Sequence, residues 1–69
     1  MIVLIFATNI QKLNEKLRLN MTSLMDLVSW SVDLEDVDKI LRVEAKTDIS
    51  SEIIEMLSKA GHRCRRLYY

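Results

Sequence analysis

The stretch "SVDLEDVDKILRVEA", Ser31 to Ala45, decides how this chain is read. Val28, Trp30, Val32 and Leu34 alternate with Ser29, Ser31 and Asp33. A period of two places alternate side chains on opposite faces, so this is a strand with one buried face. Leu41, Val43 and Ala45 alternate with Arg42 and Glu44 in the same way and predict a second strand. Glu35-Asp36-Val37-Asp38 lies between them and has the length of a hairpin loop. Asp33, Glu35, Asp36 and Asp38 also raise the question of a cation site. A calcium loop needs alternating oxygen ligands, a Gly at the bend, a distal Glu and flanking helices. The segment has no Gly and sits between strands, so the acidic run reads as a turn. Asp side chains accept hydrogen bonds from nearby backbone amides there. Charge along an edge strand also discourages pairing with a foreign sheet.

Working outward, Ile2 to Phe6 is an unbroken apolar run, the mark of a strand covered on both faces at least in part. Thr8 with Gln11 three positions on matches a capping box and predicts a helix start. Leu13, Leu17, Met21 and Leu24 follow at helical spacing, and the helix is expected to fade near Met25 or Asp26. On the other side, Ser50 is the expected N-cap of a second helix, with Ile49 and Ile54 placed as a hydrophobic staple. Ile53, Ile54, Leu57 and Ala60 form its apolar stripe. Gly61 stands where a left-handed C-terminal residue belongs, and Lys59 suits the negative end of the helix dipole. A last strand is predicted over Arg63 to Tyr68.

The order is strand, helix, strand, strand, helix, strand. This predicts an α+β, ferredoxin-like βαββαβ sandwich. Its sheet is antiparallel, four-stranded and ordered 4-1-3-2, with both helices on one face. Strands two and four become the edges, the one acidic and the other basic.

Sixty-nine residues make a single domain, residues 1–69. Half the chain is hydrophobic, which suffices for a core but leaves little room for an enclosed active site. Ten basic and ten acidic residues cancel, whereas general nucleic-acid binding calls for a basic excess. Cys64 is the single cysteine and fits a reducing compartment. The N-terminal apolar run is too short to span a bilayer and lacks the marks of a signal peptide. A cytoplasmic location is expected, with no membrane association.

The segment "VSWSVDLEDVDKILRVEAKTDISSEIIEMLSKAGHRCRRL" resembles the second half of heavy-metal-associated domains, the copper-chaperone-like modules. Val32-Asp33-Leu34, Leu41 to Val43, Ile53-Ile54, Leu57 and Ala60-Gly61 carry the likeness. In that family an M-x-C-x-x-C loop between the first strand and first helix binds Cu(I) or another soft ion. The matching stretch here, "FATNIQKL", has neither Cys nor Met. The resemblance therefore implies the scaffold and a branch without the Cys-pair site, of the kind found as small bacterial proteins. It also implies that His62, after the Gly, lies near the loop where the family holds metal.

Cys64 with His62 is the one soft-ligand pair, and H-x-C spacing on a strand puts both side chains on one face. Two ligands seldom retain a metal alone, and a free Cys is commonly a small core residue. A degenerate Cu or Zn carrier is thus the second reading, and no cofactor or metal is assigned. Arg63, Arg65 and Arg66 with Tyr68 and Tyr69 suggest an RNA-binding module as a third. RNA-binding sheets carry aromatics on their central strands, where this chain offers only Phe6. Met21, Met25 and Met56 read as core filling, and Trp30 as a core aromatic. One His, no placeable catalytic triad and no Gly-rich phosphate loop argue against an enzyme. The first reading is a small non-enzymatic interaction domain. Ile2, Leu4, Phe6 and Ile40 are expected to form an apolar patch on the uncovered sheet face, where a second copy or another protein docks.

Overall fold

A computed structural model describes residues 1–68. The elements are β1 (Ile2–Thr8), α1 (Glu15–Thr22), β2 (Leu27–Asp33), β3 (Ile40–Ala45), α2 (Ser50–Lys59) and β4 (Cys64–Leu67). All strand pairings are antiparallel, and the sheet runs β2-β3-β1-β4. This is the expected order read from the opposite edge. β1 is central, as its continuous apolar run requires.

One face of the sheet and both helices share a single core. Leu4 and Phe6 from β1 and Leu41, Val43 and Ala45 from β3 supply the sheet side. Leu17 and Met21 from α1, with Ile53 and Leu57 from α2, supply the helix side. Trp30 and Val32 of β2 pack partly buried against this cluster, as the alternation of that strand predicts.

The start of α1 corrects the sequence reading. Thr8 ends β1 and caps no helix. Its backbone N–H donates to the Asp38 carbonyl at 2.9 Å, and its hydroxyl donates to the Lys39 carbonyl at 2.6 Å. Thr8 thus fastens β1 to the turn between β2 and β3. Ile10 then drops into the core, at 1% exposure, which holds residues 9–14 in an irregular loop. The N-cap is Asn14, whose Oδ1 accepts from the Leu17 amide at 2.8 Å. α1 also stops earlier than expected, at Thr22. Ser23 caps it, and Asp26 takes a left-handed φ of 64° that turns the chain into β2.

Smaller shifts occur elsewhere. Leu34 belongs to the turn rather than to β2, and β4 is shorter than predicted at both ends. An irregularity at Leu27/Ser29 puts Leu27 opposite Ala45, and Val28 is exposed. The cap position of α2 is Ile49, and Ser50 is its first residue. Asp48 Oδ1 accepts from the Ser50 amide at 2.9 Å. Gly61 has a φ of +89°, the left-handed conformation expected of it. No helix among the described residues is long and apolar enough to cross a membrane.

Candidate interaction surface

Residues directly opposite each other in antiparallel strands project to the same face. Ile2 pairs with Ala45, Leu4 with Val43 and Phe6 with Leu41, so all six lie on the helix side. Leu4 and Phe6 are 1% and 0% exposed. They are core residues, and their assignment to an open patch is corrected here. Ile2 is on the same side, half-uncovered at the end of the sheet. Ile40 keeps its expected place, because it pairs with Asp33 one residue out of phase with the buried Leu41.

The open face is built from the other phase. Val3 opposes Glu44, Ile5 opposes Arg42 and Leu67, and Ala7 opposes Arg65. On the far side Ser29, Ser31 and Asp33 oppose Glu44, Arg42 and Ile40. Val3, Ile5, Ala7, Leu67 and Ile40 thus form an apolar strip along the middle and the β4 side. All five are exposed or half-buried, with no helix above them. Polar groups frame the strip. Arg42 Nη1 lies 3.2 Å from Glu44 Oε1, and Ser29 Oγ donates to the same oxygen at 3.1 Å. The hydrogen bond from Arg42 and then that from Ser29 hold the Glu44 carboxyl below its ordinary pKa.

The acidic run serves the turn. Asp33 Oδ1 accepts from the amides of Glu35 and Asp36 at 3.1 and 3.2 Å, and Asp36 Oδ1 accepts from the Asp38 amide at 2.7 Å. Lys39, with a left-handed φ of 46°, closes the loop by donating from Nζ to the Leu34 carbonyl at 2.6 Å. Both Asp carboxylates are therefore engaged by backbone amides. Among the described residues, no three His, Cys, Asp or Glu side chains gather as a metal site requires.

Cys64 and His62 have different surroundings. Cys64 opposes Thr8 on the helix side and packs against the core. Burial pushes its thiol up from 9.0 to about 11. The thiol is therefore held in its neutral form. His62 lines a shallow recess with Asn14, Lys16 and Leu17, and its backbone N–H donates to the Leu57 carbonyl at 2.8 Å.

The arginine cluster also divides. Arg66 is on the helix side, with its guanidinium 5.9 Å from the Phe6 ring centroid and 4.6 Å from that of Tyr68. Its Nη1 donates to Ser50 Oγ at 2.6 Å and lies 3.6 Å from Asp48 Oδ2. It is a partly buried tie between β4 and the start of α2. Arg63 is exposed, and its backbone N–H donates to Asn9 Oδ1 at 2.7 Å. Arg65 projects from the open face. Tyr69 lies outside the described residues. A second concavity, an open groove of about 500 Å³, separates α1 from α2. Lys16, Lys59, Glu52 and Glu55 line it, and the pair Lys59–Glu55 is joined at 3.0 Å.

Sequence reasoning missed Val3, Ile5, Ala7 and Leu67 as surface residues. The missing information was register. Once β1 is paired to β3, its buried phase is the one opposite Leu41 and Val43, but no local pattern in an all-apolar strand reveals that phase. No family model, curated protein or solved structure matches this chain.

Proposed function

We propose that this chain is a small, non-enzymatic interaction domain that binds protein through the open face of its sheet. Its scaffold is read as ferredoxin-like, in the heavy-metal-associated manner, without the Cys pair of that family. The observation that carries the reading is the uncovered strip of Val3, Ile5, Ala7, Ile40 and Leu67, framed by charged side chains. An apolar centre with a polar rim is the usual anatomy of a protein interface. Cys64 packs against the core, and no third His, Cys, Asp or Glu among the described residues joins it and His62, which argues against a Cys64–His62 metal carrier. A lone thiol also accords with a cytoplasmic setting.

The test compares three tagged proteins passed over host-cell lysate: wild type, Ile5→Glu on the open face and Lys59→Glu at the helix groove. Any protein retained is purified and titrated calorimetrically. Wild type and Lys59→Glu are expected to bind alike, and Ile5→Glu at least about tenfold more weakly. A purified partner that binds Ile5→Glu at full affinity, or that loses affinity with Lys59→Glu instead, overturns the reading.

A further inference from the structure

The strand registers place one acidic and one basic residue at opposite ends of a single row across the open face. Asp33 pairs with Ile40, and Ala7 pairs with Arg65. The β1–β3 register, in which Phe6 opposes Leu41, continues to put Ala7 opposite Ile40. The row therefore reads Asp33, Ile40, Ala7, Arg65 from the β2 edge to the β4 edge. Asp33 and Arg65 are both exposed.

We propose that the occupant of this face is a second copy of the chain, related by a two-fold axis lying between the sheets and parallel to the strands. This inference rests on the open-face reading above. Such an axis exchanges the two edges of the sheet while preserving position along the strands. Asp33 of each copy then faces Arg65 of the other, and Ile40 faces Ala7. The row is its own complement. A two-fold axis across the strands instead sets β2 over β2 and gives Arg65 no acid to face. Joining the acidic β2 edge of one molecule to the basic β4 edge of the next does pair unlike charges. It repeats without closing, however, whereas the face-to-face pair closes at two copies.

Sheets that pack face to face keep their strands within about 30° of alignment, which long Arg side chains can span at the rim. Four strands at about 4.8 Å and five residues at about 3.3 Å give a face of roughly 19 by 17 Å. At about 320 Å² per copy this lies below the size of stable interfaces, among weak and transient ones, so the dimer is expected to dissociate at about 10–100 µM. The same axis lays the Arg42–Glu44 pair of each copy over Ile5 and Val3 of the other, so the fully apolar contact is Ile40 on Ala7, and the two rim pairs set the orientation.

Sedimentation equilibrium on the full chain tests this. Wild type is expected to be a dimer in that range, weakening as salt is raised. Arg65→Asp sets two acids against each other and is expected to weaken association at least about tenfold. Asp33→Lys is expected to do the same. An equimolar mixture of the two variants restores two unlike pairs and recovers a heterodimer. Circular dichroism checks the fold of each. Asp33→Asn keeps the oxygen that accepts the turn amides, so it serves if the Lys variant misfolds, and it is expected to weaken the dimer a few-fold. A wild-type chain that stays monomeric at 500 µM and low salt overturns self-pairing, while the open-face reading still stands or falls on the Ile5→Glu titration. A dimer abolished by Ile5→Glu but indifferent to both charge variants overturns this two-fold and keeps the face. A dimer indifferent to all of them overturns both.

Discussion

The thiol of Cys64 offers a quantitative handle on how closely β4 is packed against the core. The thiolate is the reactive form, so the rate of thiol–disulfide exchange follows its population. At pH 8 a thiol near 9 is about 10% ionised, and one near 11 about 0.1%. Burial alone, which pushes Cys64 from 9.0 to about 11, therefore predicts a roughly 100-fold slower reaction in the folded chain. The side chain is only half-buried, so solvent reduces the contrast, and at least about tenfold is expected. The assay is reaction with an aromatic disulfide reagent, followed by absorbance in buffer and in denaturing urea. The same shift fixes a pH dependence. The folded pKa lies above the unfolded one, so the folded chain holds its proton longer. Stability is fully present below pH 9 and is lost as pH rises from 9 towards 11. Equal rates in buffer and urea would refute the buried placement of Cys64. Protection by stoichiometric Zn²⁺ in the folded chain would revive the metal-carrier reading.

Four further outcomes follow from the packing. Asn14→Ala is expected to cost about 1 kcal/mol in urea denaturation, and Gln11→Ala close to nothing, because Asn14 is the cap of α1. Thr8→Val removes the hydroxyl that ties β1 to the Lys39 carbonyl and is expected to cost about 1–3 kcal/mol. Hydrogen bonds from the Ser50 hydroxyl and then the Ser50 amide hold the Asp48 carboxyl below its ordinary value, and Glu44 is lowered likewise. Both contribute stability that is present above about pH 4–5 and lost as pH falls through the depressed values. An acid titration of Asp48→Asn should accordingly show a shallower loss. Phe6→Ala is expected to cost about 3–5 kcal/mol in the same denaturation assay, which separates it from its open-face neighbours Val3 and Ile5.

Much of the fold was legible because its signals are local. The alternation of Trp30 and Val32 and of Leu41, Val43 and Ala45, the helical spacing of Leu17 with Met21 and of Ile53 with Leu57, and Gly61 each report on a few neighbouring residues. So does the acidic turn, where Asp33 and Asp36 bond amides two and three positions away. What failed depended on distant partners. Thr8 followed by Gln11 satisfies the capping pattern, yet the Thr8 hydroxyl is claimed by Lys39, thirty-one residues on. Asn14 looked ordinary until Ile10 was seen to anchor the loop before it. Arg66 looked like part of a basic surface, but its partners come from two distant parts of the chain, Phe6 of β1 and Asp48 with Ser50 at the start of α2. The open face was foreseen as a face and misassigned in β1, because an apolar strand does not declare its register.

The most direct test of the central claim is an isotope-filtered nuclear Overhauser measurement on an equimolar mixture of labelled and unlabelled chain, taken well above the dissociation constant. Intermolecular contacts are expected between the methyl groups of Ile40 in one copy and Ala7 in the other, with Ile5 and Leu67 nearby. Contacts arising instead from the helix side, at Met56 or Leu19, or no intermolecular contact at all in a chain that sediments as a dimer, would contradict it.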